Sequence, residues 1–375
     1  IKWFLIISIL FCIKSMEGVE NKPYPWVKEY KAEHSIEKRI NTPEGYERIT
    51  LEKSPFCQWL RELPLKPGAS KVFLFNGEPK PKQDIHAAVI DIDTGKKNLQ
   101  QCADAIIRLR AEYLFSQKRY KEICFKFTSG DKAEFSKWTY GYRPQVQGNR
   151  VRWAKGGSKG RTYKNLKSYL ETVFMYAGSA SLDKELYWVT NPTWMKIGDV
   201  FIKGGFPGHA VIVTDMARHP QTGETVFLLS QSYMPAQDMH ILINQGDKKL
   251  SPWFKLDISK DLKTPEWTFK WNQLKRFEKV KKPRDTRSSA SLTGTFRALK
   301  TLPGGILGYI VTFDVVNVGS GTFKPKSVTF ATYHYYGGQD LMYVGVGRRT
   351  GLVTADKCLQ ADLGVAEEKV VSVLH

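Results

Sequence analysis

Apolar and polar positions recur with two different periods along this chain, and the two kinds of stretch occupy different regions. Over residues 99–115 the set Leu99, Cys102, Ala103, Ile106, Leu109 and Tyr113 steps by three and four, which is one stripe of a helix. Asn98, with Gln101 three residues on, resembles a capping box at its start. A second helical period covers Tyr163 to Tyr176, with Gly178 just past its end. A shorter helix from Pro55 to Leu63 is stopped by Pro64 and Pro67, since proline cannot continue a helix interior. Strand signals appear at Val72–Phe75 before the turn Asn76-Gly77, at Ala87–Ile92 and at Ile123–Thr128. Three more follow in close order: Gly198–Ile202, Gly208–Val213 and Val226–Gln231, parted by Gly204-Gly205 and Gln221-Thr222-Gly223. Helix first and antiparallel strands later is the α+β order.

Near Lys281–Ser289 the chain turns to Lys, Arg, Asp, Ser and Thr, as linkers do. Beyond it, Gly308–Asn317, Lys326–Tyr336 and Leu341–Val346 are β-rich runs separated by glycines. They predict a small all-β, sandwich-like module. The stretch from Thr350 receives no assignment. The expected plan is a leader over 1–18, a body over 19–283 and the β-rich module over 290–375.

A length of 375 residues suits one large and one smaller domain, and 42% hydrophobic content excludes a disordered chain. The formal charge of +20 attracts anions such as nucleic acid, acidic lipid or an anionic wall polymer. The basic residues are spread along the chain, with local clusters at Lys118–Lys121 and Lys275–Arg284 and no zinc-knuckle spacing. Nucleic acid is therefore not the favoured partner. After Lys2, the run Trp3 to Ile13 has the length of a signal-peptide core and is short for a membrane span. It predicts export to the periplasm or cell envelope. Cys12 offers a lipid attachment point, although Phe11 before it is bulkier than the small residue of a lipoprotein signal. No other segment is apolar enough to span a bilayer. Cys57, Cys102, Cys124 and Cys358 are an even number that permits disulfides. The seven histidines are scattered without metal-ligand spacing, so neither a metal nor a cofactor is expected.

The candidate chemistry is that of a thiol. A thiolate is the nucleophile in cysteine hydrolases, and a helix N-terminus or a nearby imidazole favours it. Cys102 lies in the first turn of the best-defined helix, and Gln100 and Gln101 just upstream are candidate oxyanion donors. His209 opens a strand after Gly204-Gly205-Phe206-Pro207-Gly208, a turn that holds the ring at the end of the sheet. Gln231 on the next strand is placed to orient the imidazole. Asp215 is the alternative; on a regular strand it shares a face with His209 but lies far along it. Weaker rivals are Cys57 in Phe56-Cys57-Gln58-Trp59, and His86. Trp138, Tyr142, Arg143 and Trp153 could line a groove for peptide or sugar, although core packing explains the tryptophans equally well.

The segments Ile197-Gly198-Asp199-Val200-Phe201-Ile202 and Gly208-His209-Ala210-Val211-Ile212-Val213 resemble the Gly-Asp strand and His strand of NlpC/P60 peptidases. That resemblance implies a papain-like helix plus antiparallel sheet, with Cys102 as nucleophile, His209 as base and Gln231 as orienting residue. The Cys–His separation is longer than usual there. Gln101-Cys102-Ala103 stands in place of Asp-Cys-Ser, and the third residue is Gln rather than the commoner His.

A closer resemblance covers roughly residues 40–280. Trp59-Leu60-Arg61-Glu62-Leu63-Pro64-Leu65-Lys66, Gln100-Gln101-Cys102-Ala103-Asp104-Ala105, Arg108-Leu109-Arg110-Ala111-Glu112-Tyr113-Leu114, the Gly204–Val213 run and Gln231-Ser232-Tyr233-Met234-Pro235-Ala236-Gln237 are similar to a bacterial family catalogued as domain of unknown function 4846. It brings no established activity. Two functions are thus expected to compete. One is an exported thiol hydrolase cleaving an amide or peptide bond, with cell-wall peptide as the candidate substrate. The other is a non-catalytic exported protein that binds an anionic wall polymer or glycan.

Overall fold

A computed structural model of the protein describes residues 23–51 and 55–279, together with the backbone of four strands between 308 and 353. The expected leader, Cys12, Cys358 and the Lys281–Ser289 linker lie outside the described residues. The chain divides into two compact units, residues 1–281 and 282–375.

The helices of the first unit are α1 (Ile36–Arg39), α2 (Pro55–Arg61), α3 (Cys102–Ser116), α4 (Phe135–Thr139), α5 (Tyr163–Tyr176) and α6 (Ser179–Glu185). Its strands begin with β1 (Glu47–Arg48), β2 (His86–Val89), β3 (Cys124–Lys126), β4 (Lys132–Glu134), β5 (Tyr142–Gln147), β6 (Arg150–Lys155) and β7 (Tyr187–Trp188). They continue with β8 (Val200–Lys203), β9 (His209–Arg218), β10 (Thr225–Gln231), β11 (His240–Leu242), β12 (Phe254–Lys255), β13 (Leu262–Lys263), β14 (Thr268–Phe269) and β15 (Leu274–Arg276). The main sheet runs β2-β11-β10-β9-β8-β15-β7, with β1 added to β9 and β12 to β10. Every pairing in it is antiparallel. The unit is therefore α+β, as the order of periods predicts. The expected Val72–Phe75 strand is reduced to isolated bridges, Phe73 to Pro79 and Leu74 to Gln237.

β9 is buried along its length except at Arg218, which explains why it reads as a continuous apolar run rather than an alternation. α2 and α3 pack against it and α6 packs against β8. Phe201, Phe227, Phe254 and Phe269 on the strands form a contiguous aromatic cluster, which partly buried Trp271 after β14 covers. Each such side chain, fully buried, contributes about 1.5–3 kcal/mol, so β9 and its neighbours form a rigid base for what lies at their ends. The register of β9 on β10 shifts at Leu228/Leu229, where Asp215 pairs with Leu228 and Val213 with Leu229. Thr214 is the extra residue, and such a bulge reverses the alternation beyond it. Asp215 is thereby turned to the face opposite His209, contrary to the shared face that a regular strand would give.

The Gly-Asp pair before β8 is structural. Gly198 has φ +92 and a Cβ there would meet the Phe56 ring at 3.0 Å, so the close approach requires glycine. Asp199 is fully buried and accepts from Arg276 Nε at 2.5 Å and Nη2 at 2.7 Å.

In the second unit, β16 (Gly308–Phe313), β17 (Val328–His334), β18 (Asp340–Val346) and β19 (Arg349–Val353) form one antiparallel sheet in sequential order. β19 falls in the stretch that the sequence pattern leaves unassigned. A second sheet, which a sandwich needs, is not among the described residues.

Candidate functional site

Three elements end at one place. Cys102 is the first residue of α3, His209 the first of β9 and Gln231 the last of β10. α3 starts later than the Asn98 cap would put it. Gln101 is the N-cap, and the Asp104 carboxylate accepts from its backbone N–H at 3.1 Å. Asn98 instead accepts from the Ala236 N–H at 2.7 Å and from Gln101 Nε2 at 3.2 Å, so it ties the start of α3 to the loop after β10. Ser232 Oγ reinforces that tie, its one hydrogen shared between the carbonyls of Gln237 at 2.8 Å and Gln100 at 3.1 Å. The residue before His209 must be small: a Cβ on Gly208 would collide with Gly205 O, with Ser179 Oγ at 2.5 Å and with Lys203 O at 2.7 Å.

The imidazole of His209 is buried. Its Nε2 lies 2.9 Å from Gln231 Oε1. Gln231 Nε2 donates to Glu266 Oε2 at 2.7 Å and lies 3.4 Å from His240 Nε2. Glu266 is also paired with Lys80 at 2.8 Å. His240 Nδ1 lies 2.9 Å from the Asp238 carbonyl. Around the His209 ring sit Tyr233, Trp267 and Phe269, with centroids 4.7, 5.4 and 5.8 Å away. Burial pulls His209 down to about 4 and His240 to about 3, because a low-dielectric surround disfavours the charged ring. Both rings are neutral at pH 7.

Cys102 is half-buried, and the backbone amides of Ala103, Ala210 and Cys102 itself favour its ionised form. The contact with Ala210 places the sulfur beside the residue that follows His209. No hydrogen bond joins the sulfur to the imidazole among the described residues. The lowered thiol expected of a helix N-terminus is not found: burial, and then the Asp104 carboxylate, push it up to about 11. Desolvation outweighs the helix-end amides here. Asp104 is itself pushed up to about 8 by burial.

The other sequence candidates are placed elsewhere. Asp215 is buried between Arg48 and Arg61, each at 2.7 Å. Gln100 Oε1 accepts from Arg108 Nη1 at 2.6 Å and its Nε2 reaches the Asp93 carbonyl at 3.5 Å. It lines a cavity of about 370 Å³ with Lys96, Lys97, Lys167 and Glu171. Gln101 remains beside the thiol, with one amide hydrogen given to Asn98. Trp138, Tyr142, Arg143 and Trp153 belong to α4 and the β5–β6 hairpin. Arg143 lies 3.8 Å over the Trp138 ring, which is buried against Tyr169 of α5. Lys155 lies 5.7 Å over the Tyr142 ring and Lys137 5.7 Å over the Trp153 ring, and the aromatics beside His209 are Tyr233, Trp267 and Phe269. Cys57 is buried, its thiol 3.1 Å from the Ile197 carbonyl. His86 meets the Ser70 carbonyl at 2.9 Å. Cys102 and Cys124 are free thiols. No group of three or more His, Cys, Asp or Glu among the described residues could hold a metal ion, and no helix among them is long and apolar enough to cross a membrane.

Sequence reasoning missed Glu266, Lys80 and His240. The one available signal was Thr264-Pro265-Glu266-Trp267, a Pro/Trp turn bearing a carboxylate. Among comparisons with known proteins, the family described as domain of unknown function (4846) matches residues 36–276. Neither a curated protein nor a solved structure matches the chain.

Proposed function

From the premise that the chain belongs to the family of domain of unknown function (4846), we propose that its first unit is a papain-like thiol hydrolase that cleaves an amide bond. The observation that carries this reading is the convergence of the α3 N-terminus, the start of β9 and the end of β10, with His209 bonded to Gln231 and Cys102 against Ala210. Cys102 Sγ attacks the carbonyl carbon while its proton passes to His209. The oxyanion is held by the Cys102 backbone N–H, a helix N-terminal amide without an intrahelical partner, and by the second hydrogen of the Gln101 side-chain amide, whose first goes to Asn98. The tetrahedral species collapses as His209 returns the proton to the leaving amine. Water then opens the thioester, giving its proton to His209, and the acid leaves as the thiol is restored. Because the resting thiol and imidazole are both neutral, proton transfer accompanies attack rather than preceding it. Tyr233 and Trp267 screen the imidazole from water.

Cell-wall peptide in the cell envelope is the substrate class and location that fit an exported hydrolase with a charge of +20. The test is release of amine from muropeptides at pH 7–8. Cys102→Ala should lower turnover on the order of 10³-fold or more; unchanged turnover sinks the assignment.

A second reading has its own observation, the thiol held up at about 11 without a hydrogen bond to the imidazole. On it the unit binds an anionic wall polymer or glycan without chemistry. Binding that survives Cys102→Ala and weakens steeply with salt supports it.

A further inference from the structure

The polar groups behind His209 leave only one consistent arrangement of hydrogens. Glu266 is partnered by Lys80 at 2.8 Å, so it is a carboxylate and can only accept. The group that Gln231 turns toward it at 2.7 Å must therefore be its NH₂. His240 agrees: its Nδ1 faces the Asp238 carbonyl at 2.9 Å, where only a donor fits. Its Nε2 is left as an acceptor for the second amide hydrogen of Gln231 at 3.4 Å. The amide oxygen of Gln231 then faces His209 Nε2 at 2.9 Å, and an oxygen there requires the ring proton on Nε2. His209 Nδ1 is left with a free lone pair.

We infer that Glu266 is a positioning residue: its carboxylate fixes which way round the Gln231 amide lies, and through it which nitrogen of His209 can take a proton. An amide has no intrinsic preference between its two orientations, since oxygen and NH₂ are nearly the same size. With the amide reversed, NH₂ would face His209 Nε2, the ring proton would move to Nδ1, and the free lone pair would be lost. His240 alone holds the amide through a longer contact. Lys80 in turn holds Glu266 in place through their ion pair, and its ammonium lies 5.2 Å over the Tyr233 ring that covers the site. The base role of Nδ1 rests on the hydrolase reading. The amide orientation and the tautomer do not.

The experiment is nitrogen-15 NMR of the histidine rings in the whole protein, paired with steady-state kinetics. The wild type should show His209 as the Nε2–H form. Glu266→Ala, folded by its amide fingerprint, should show the Nδ1–H form emerging, with kcat down about tenfold and KM unchanged. A wild type carrying the proton on Nδ1 overturns the inference even if the variant fails to fold. A folded Glu266→Ala variant that keeps the wild-type form also overturns it. A tautomer shift in a protein whose wild type hydrolyses nothing upholds the role of Glu266 and sinks the hydrolase reading, so the two failures are distinguishable.

Discussion

The two parts of β9 each carry a buried polar network, and they are built in opposite ways. Toward its C-terminal end, Asp215 has both oxygens engaged by arginines, Arg48 at 2.7 Å and Arg61 at 2.7 Å. Arg48 Nη2 also donates to the Ile40 carbonyl, and Arg61 Nη2 to the carbonyls of Ile49 and Met216. Both oxygens of the buried carboxylate are matched, so the cluster ties β1 and α2 to β9. At the other end, the chain Lys80, Glu266, Gln231, His209 runs through matched contacts and stops at a ring nitrogen with no partner among the described contacts. The Cys102 thiol lies against Ala210, the residue that follows His209. A network with its carboxylate engaged on both oxygens holds structure, whereas one that ends at a ring nitrogen without a partner among the described contacts keeps an acceptor available.

The largest effect should separate the two ends by stability. Asp215→Ala leaves Arg61 buried without its carboxylate and should cost about 3–5 kcal/mol, read from the denaturant midpoint. Turnover per folded molecule should stay as in the wild type. A loss under about 1 kcal/mol would erase the contrast.

Acid should act on the His209 end next. Both rings there have depressed pKa values, from 6.5 to about 4 for His209 and about 3 for His240. The folded state therefore binds fewer protons than the unfolded one in this window. The stability they contribute is full above pH 6.5 and is lost as pH falls toward 3–4. Unfolding free energies from urea titrations at pH 7 and pH 4.5 should differ by roughly a few kcal/mol. A flat profile over that window would contradict neutral, buried rings.

The smallest effect concerns the thiol. Its carbamidomethylation, followed by mass spectrometry of the Cys102 peptide, should speed up with each pH unit from 7 to 10 and level only near 11. At pH 9, Asp104 is ionised and opposes the thiolate. Asp104→Asn should then raise the rate a few-fold, by about 3–5 times. A rate that is already level at pH 7 would mean a preformed ion pair and a site of another kind.

Much of this arrangement was legible in the chain. The steps of three and four over 99–115 mark α3, and the Tyr163–Tyr176 period marks α5, to the residue at both ends. The glycine-proline turn before His209 places that ring at a strand end, and Gln231 on the adjacent strand proves to be its partner. Other features were not legible. The bulge at Thr214 turns Asp215 away, and nothing in Val213-Thr214-Asp215 announces it. Arg108 captures Gln100 from two turns along α3. Trp138 packs on Tyr169 of α5 rather than beside His209, since a tryptophan on a groove and one in a core look alike in sequence.

The order of helix, His strand and Gln strand, and with it the α+β class, follows from the sequence alone, because hydrophobic period and turn chemistry are local properties of the backbone. The tertiary structure alone decided that Glu266 and Lys80, 186 residues apart, meet behind Gln231. It alone set the thiol at about 11. Both depend on how much water is excluded and which charges end up adjacent, and those quantities do not exist until distant segments have packed.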